Sequence, residues 1–416
     1  MRATRPVHAL VVGAALAATG AACGEDAPAE PIRLGVIGAQ SGDLDSVDLY
    51  DTLLLAVEEV NRAGGVLGRP IVLEPRDDAA TAEGASAAYA ELLAAEVPAI
   101  VGPQHSAGVL AIADQIRIGR TLTLSGTATA PAIATMNDGG FFFRTIPSDD
   151  VQSIVLADEI VASGREHLCV VHRRDPYGLG LAAALRGRLA GHGIVPVESA
   201  YDPSAPLDQV MAPCDRVRAE SNPGVVFITF QGDGRVILDD AAQRGWDATT
   251  HRLFLVDGNQ SQELFDGLAH ADAFDGAIGT VPSGPGPESL AGQRRLAFEG
   301  RFTAKYQRVV AGQSENHYDA AYLAMLAIEI AGTADDRDAT RDAVARTARG
   351  AGVDAGDWAG LRAAIAGHGQ VDYRGASGEA DLEPISGELL PPYYIAVWTI
   401  RSGRIQTERV VEITER

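Results

Sequence analysis

Residues 99–133 read AIVGPQHSAGVLAIADQIRIGRTLTLSGTATAPAI, and this stretch settles the kind of fold to expect. AIV is a short apolar strand that stops at Gly102 and Pro103. GVLAIADQIRIGR then spaces its apolar residues as a helix does, TLTLSG is a second strand, and Pro131 opens a further helix-like piece. A strand, a helix and a second strand in so few residues make a βαβ unit, which implies a parallel sheet. Both strands run out into small hydroxyl residues and bare backbone: Ser106 after the first, Thr123, Ser125, Thr127 and Thr129 along and after the second. No charged residue stands among them.

The same rhythm extends on both sides. IRLGVIGA (32–39), LYDTLLLAVEEVNRAGG (49–65), PIVLEPRDD (70–78) and TAEGASAAYAELLAAE (81–96) alternate strand and helix before it. After FFFRTIPSDD (141–150) the alternation restarts with VQSIVLADEIVASG, HLCVVHRRD and PYGLGLAAALRGRLAGHG, and it runs through PGVVFITFQ to HRLFLVDG. A helical region over 288–367, centred on SENHYDAAYLAMLAIEIAG (314–332), adds no further unit of this kind. YYIAVWTIRSGRIQTERVVEI (393–413) reads as a hairpin around Arg401–Arg404. With 416 residues the chain exceeds one ordinary core, so two α/β modules in series are expected.

The N-terminus reads as an export signal: MRATRP is basic, VHALVVGAALAATGAA is apolar and rich in small residues, and polar GEDAPAE follows Cys23. Gly20, Ala21 and Ala22 before Cys23 resemble a bacterial lipobox, in which the cysteine becomes the lipid-bearing first residue of the mature chain. Ordinary cleavage near Ala21–Ala22 is the other reading. The formal net charge is −22, and removal of residues 1–22 with Arg2 and Arg5 leaves −24. Such a surface repels nucleic acid and anionic lipid. The one lysine, Lys305, is followed by Tyr306, so no P-loop is present. Of the three cysteines, Cys169 and Cys214 lie in a strand and a helix-like stretch; two separately buried thiols are expected, although an oxidising compartment permits a bridge.

Ligand chemistry is expected at the carboxyl ends of parallel strands. GVIGAQSG (35–42) does not match the dinucleotide pattern, its glycines being Gly35, Gly38 and Gly42. GPQHSAG (102–108) places Ser106 as an N-cap at a helix start, which suits a carboxylate. Thr127 and Thr129 can donate hydroxyl and backbone N–H at the neighbouring strand end. In the second module Tyr177 follows a strand, and Asp257 ends another, either as a counter-charge for an ammonium or as a cap for the next helix. There is no GxSxG, no HExxH and no histidine pair at metal-ligand spacing. No catalytic constellation or cofactor site is expected.

In this order the motifs IRLGVIGAQSG, AVEEVNRAGGVLGRPIVLEPRDD, AIVGPQHSAG, TLSGTATAP, FFFRTIPSDD, VVHRRDPYGLG and NHYDAAYLAMLAIE resemble the periplasmic substrate-binding proteins of the leucine/isoleucine/valine-binding type, from about residue 31 to the C-terminus. The resemblance implies the type I fold, two doubly wound parallel-sheet lobes joined by three crossover strands near 143–147, 277–282 and 370–373. It implies a signal peptide over 1–22, a lipid-attached linker over 23–30, one lobe from 31–143 with 282–370, and the other from 144–281 with 371–416. It further implies a monomeric exported protein in the periplasm or at the cell surface. Hinge closure would capture a small amino-acid-like ligand there, for an ABC permease in the membrane. By position Ser106, Thr127 and Thr129 match the carboxylate seat, Tyr177 the closing aromatic, and Asp257 the partner of the ammonium. Two departures argue against carrying over branched-chain specificity: DLDSVDL (43–49) is acidic where an aromatic is common, and Gln231 replaces a frequent tyrosine. The positions of a disulfide found in some relatives hold Ala80 and His105. An extracytoplasmic sensor shares the fold and is the second reading; an NAD-dependent enzyme is the third and is disfavoured by the broken glycine pattern.

Overall fold

The computed structural model describes residues 29–41 and 47–415; the expected signal peptide and Cys23 lie outside the described residues. Five strands, β1 (Ile32–Ile37), β2 (Ile71–Arg76), β3 (Ala99–Val101), β4 (Leu122–Ser125) and β5 (Phe142–Arg144), form a parallel sheet in the order β2-β1-β3-β4-β5. Five more, β6 (His167–Arg173), β7 (Val197–Tyr201), β8 (Pro223–Ile228), β9 (Arg252–Leu255) and β10 (Ile278–Pro282), repeat that order as β7-β6-β8-β9-β10. Between them and the C-terminus, β11 (Gly352–Asp354) and β12 (Asp372–Arg374) make a small separate pair. The C-terminal hairpin, β13 (Tyr393–Arg401) and β14 (Arg404–Ile413), adds antiparallel to β10 and turns at Ser402–Gly403 as expected. The fold is α/β, with two doubly wound sheets.

Each sheet is buried on both faces, which is why its strands read as continuous apolar runs. Alternate residues go to different cores: Ala99 and Val101 of β3 pack on one side of the first sheet and Ile100 on the other. Cys169 and Val171 of β6 separate from Leu168 and Val170 in the same way. The helix Ser314–Ala331 is buried from Ser314 through Ile328 and runs through the largest core. A helix covered all round belongs at a domain centre rather than on a surface. Its Asp319 accepts hydrogen bonds from Tyr373, from both the hydroxyl and the N–H of Ser377, and from the N–H of Ala376. The segment that leads on to β13 is thereby tied to the first half of the molecule.

One expectation is corrected. Cys169 in β6 and Cys214 in the helix Leu207–Arg218 are joined as a disulfide, with Cα atoms 5.3 Å apart. The helix packs against β6, β7 and β8, which brings a thiol 45 residues away onto the buried face of β6. Closing a loop of that length removes about 4 kcal/mol of unfolded-state entropy.

Candidate functional site

In both sheets the strand order reverses between the first and third strands, so two switch points exist, at β1/β3 and at β6/β8. Ligand crevices in open α/β sheets form outside the carboxyl ends of strands at such points. Here the two crevices face each other across one cavity of 150 Å³. Gln104 and Ser106 follow β3, and Thr127 and Thr129 follow β4; Tyr177 follows β6, Phe230 and Gln231 follow β8, and Asp257 follows β9. All six residues singled out from the sequence, Ser106, Thr127, Thr129, Tyr177, Gln231 and Asp257, line it.

The hydroxyls on the first side are not equivalent. Ser125 donates to the Pro103 carbonyl at 2.7 Å and accepts from the N–H of Ala128. Thr123 donates to the Thr121 carbonyl, and Thr127 donates to the Gln104 carbonyl at 2.8 Å. A hydroxyl has one hydrogen, so these residues stitch the loops together, and the Thr127 hydroxyl can only accept from a ligand. Ser106 differs: its Oγ accepts from the N–H of Ala130 at 3.1 Å, which leaves its own hydrogen to donate. The N-cap expected of Ser106 belongs instead to His105, whose Nδ1 accepts from the N–H of Gly108 at 3.0 Å. Nδ1 being an acceptor, the ring carries its hydrogen on Nε2, 3.4 Å from Asp78.

Arg144 sets the shape of the Thr127–Thr129 loop from behind. Fully buried, it donates to the carbonyls of Ala128 and Ala130 at 3.2 and 3.1 Å and holds Glu388 through two bonds of 2.7 Å. A bidentate charged pair of this kind fixes geometry as well as energy. The loop carbonyls are drawn inward to the guanidinium.

The second side is acidic and only half open to solvent. The Tyr177 hydroxyl donates to Oδ1 of Asp257 at 2.6 Å, and Gln152 donates to the same oxygen at 3.2 Å. Tyr177 stacks on Phe230, centroids 5.2 Å apart, and Phe230 in turn lies beneath the Arg173 guanidinium. Burial raises the Asp257 carboxyl above its usual range, against the pull of Tyr177 and Gln152. Next to it Asp149 is wholly buried and has no hydrogen bond of ordinary geometry to either carboxylate oxygen. Burial, then the charge of Asp257, push Asp149 well above the carboxylate range; the Thr129 hydroxyl and Arg144 oppose this. Two desolvated carboxyls side by side are destabilised when both are ionised, and a cation between them relieves both.

Sequence reasoning missed Asp149, Phe230, Gln104, Gln313 and His317. Asp149 stands in the SDD of FFFRTIPSDD, where Ser148 caps the helix Asp149–Ala162 and first-turn acids are ordinary. Gln313 and His317 come from the start of the buried helix, nearly two hundred residues from β4. Among the described residues no helix is long and apolar enough to cross a membrane.

Residues 31–385 match the periplasmic binding protein family. Among curated relatives, the chemotactic signal transduction system substrate-binding protein BasB of Halobacterium salinarum is 30% identical over 372 residues, 86% of this chain and 83% of that one. The Leu/Ile/Val-binding protein BraC3 of Rhizobium johnstonii is 28% identical, over 75% of this chain and 83% of its own. Among solved structures, the leucine binding protein LivK of Thermotoga maritima superposes with a TM-score of 0.75 at 20% identity, covering 91% of this chain and 98% of that one. LivJ of Streptococcus pneumoniae, solved with isoleucine, gives 0.74 at 17%, covering 93% and 100%. These are binding proteins rather than enzymes. With a family match over most of its length and a relative at 30% identity over 86% of it, the chain belongs to the periplasmic binding proteins, a family of extracytoplasmic solute-binding proteins with the type I fold.

Proposed function

We propose that the protein captures a free amino acid or close analogue between two lobes and presents it to the permease of an ABC importer. The observation that carries this is the polarity of the cavity: the Ser106 hydroxyl and the Thr127–Thr129 loop on one side, and Asp257 with Tyr177 on the other, with Asp149 buried behind the lining. A zwitterion satisfies both ends at once. Its carboxylate takes the Ser106 hydroxyl and the Thr127–Thr129 loop, and its ammonium pairs with Asp257, whose charge it offsets beside Asp149. Phe230 holds Tyr177 in place, and Gln231 closes the second side.

Capture proceeds by hinge closure. The lobes are residues 31–143 with 282–370 and residues 144–281 with 371–416, the third crossover lying near 370–373, and Tyr373, Ala376 and Ser377 at or just after it bond back to Asp319 of the first lobe. The protein acts as a monomer in the periplasm or at the cell surface, with a signal peptide over 1–22 removed and a lipid anchor on Cys23 holding it to the membrane. No cofactor takes part. Calorimetry on protein stripped of ligand by unfolding and refolding tests the core of the proposal. Amino acids are expected to bind and their decarboxylated amines are not; equal binding of both would overturn the carboxylate seat. The similarity to BasB favours one second reading, a receptor that reports its ligand to a signalling partner. Ligand-dependent uptake by cells carrying or lacking the gene separates the two.

A further inference from the structure

The cavity has a second end, and its chemistry specifies the side chain of the ligand. This inference rests on the amino-acid reading above and narrows it. Besides the Ser106–Thr129 seat and the Asp257–Tyr177 pair, the lining carries Asp48, Gln104, Gln231, Gln260, Gln313 and His317, with Leu49 and Phe230 as its large apolar side chains. They form one neighbourhood: Gln104 lies 3.5 Å from His317, and Asp48 accepts from the N–H of Ala311, two residues before Gln313. An amino acid whose main chain sits at Ser106 and Asp257 directs its side chain here.

Each class of side chain meets a definite answer. A branched aliphatic chain would bury glutamine amides against hydrocarbon. The Gln313 Nε2 is already buried without an acceptor, and a polar group left so costs more than an apolar contact returns. Among the described residues a carboxylate side chain would find no lysine or arginine on the cavity wall, only Asp48 and the Asp257 carboxyl. Of those two, Asp48 is already held by Arg308 and by the N–H of Ala311, so among the described residues a cationic side chain would find no free anion beyond the Asp257 that takes the ammonium. His317 is itself uncharged, burial pulling its imidazole down to about 4.

What fits is a neutral group offering both a donor and an acceptor. The acceptor faces Gln313 and the N-terminal turn of the helix Ser314–Ala331; the donor faces the glutamine carbonyls. Gln313 sustains a left-handed backbone (φ 69°) at the head of that helix, a conformation a side chain other than glycine rarely takes. Strain of this kind at a cavity wall fits a side chain kept for its amide. We propose that the ligand is an amino acid with a carboxamide side chain, glutamine or asparagine, and that Gln313 is the residue that selects it.

Calorimetry of stripped protein against L-glutamine, L-asparagine, L-leucine, L-glutamate and L-lysine tests this. A carboxamide is expected to bind tightest, with leucine weaker by about 100-fold or more, because a site built to hydrogen-bond rejects an analogue that cannot. Leucine, glutamate or lysine within tenfold of the better carboxamide overturns the inference and leaves amino-acid capture standing. Failure of all five to bind overturns both. Gln313→Gly removes the amide while suiting the positive φ, so misfolding does not confound it. That variant is expected to lose about tenfold or more for the carboxamide and to gain affinity for leucine, whose binding no longer leaves the amide unpaired. An equal fall for both ligands counts against Gln313 as the selecting group.

Discussion

The two walls of the cavity are built on opposite principles. On the side of β3 and β4, hydroxyls and carbonyls are bonded to one another and to the buried Arg144–Glu388 pair. Little remains to reorganise when an anion arrives. On the side of β6 to β9, two carboxyls are desolvated together, and one of them, Asp149, is eased only by the Thr129 hydroxyl and Arg144. The first wall is satisfied without a ligand and the second is not. On the proposed reading the carboxylate seat is preorganised, whereas the ammonium relieves an existing electrostatic cost. Such a pair of walls links closure to ligand, since a closed cavity without a cation leaves the acids uncompensated.

Neutralising the second wall gives the largest effect. Asp149→Asn and Asp257→Asn are each expected to weaken amino-acid binding by about 3–5 kcal/mol, as for truncation of a buried charge pair, and to raise the melting temperature of the ligand-free protein. Loss of affinity together with loss of stability would mean that the acids are structural. The sign of the pH effect follows from the raised carboxyls. Their contribution to ligand-free stability is present below the ordinary carboxylate range and is lost as pH rises through their elevated folded values. Bound ammonium lowers both, so binding releases protons. Calorimetry in buffers of different ionisation enthalpy detects that release, and it should shrink with Asp149→Asn to what Asp257 alone contributes.

Next in size is the staple within the second half. The double variant Cys169→Ala, Cys214→Ala is expected to lose about 4 kcal/mol in denaturant unfolding while its affinity stays unchanged, because the bridge lies between β6 and a helix remote from the cavity. A change in affinity would show that the acidic wall depends on the rigidity of its own lobe. His317 is the matching test for the first half. Its imidazole falls to about 4 on burial. The stability it contributes is present above the unfolded histidine value near 6.5 and is lost as pH falls towards 4, by an amount on the order of 3 kcal/mol. His317→Gln should flatten that part of the stability profile between pH 6.5 and 4.

What the sequence made legible was whatever depends on local order. Strand-to-helix alternation identified both sheets, and the ends of those strands led to Ser106, Thr129, Tyr177 and Asp257, which share one cavity. Contacts set by packing were not legible. Ser106 looked like an N-cap because serine commonly is one, but the His105 ring reaches Gly108 first. Asp149 stands where a first-turn acid is ordinary, and nothing local to SDD shows that its carboxylate turns inward beside Asp257. The Cys169–Cys214 bridge depends on how one helix lies across β6, and Gln313 and His317 arrive from a helix far along the chain.

The smallest effect tests the first wall where it is most nearly self-sufficient. Ser106 accepts from the N–H of Ala130, which leaves its one hydrogen available to a ligand. Ser106→Ala removes both roles, so it is expected to cost about 1.5–3 kcal/mol in affinity, the worth of a hydrogen bond to a charged group. The loss should be confined to ligands that carry a carboxylate; an amino-acid amide bound through its ammonium alone should lose little. Ser106→Thr keeps the hydroxyl and should restore most of the difference if the methyl is tolerated in the buried turn. An equal loss for acid and amide would place the effect in the Ala130 contact rather than in the ligand, and the first wall would then owe its function to its stitching and not to its free hydroxyl.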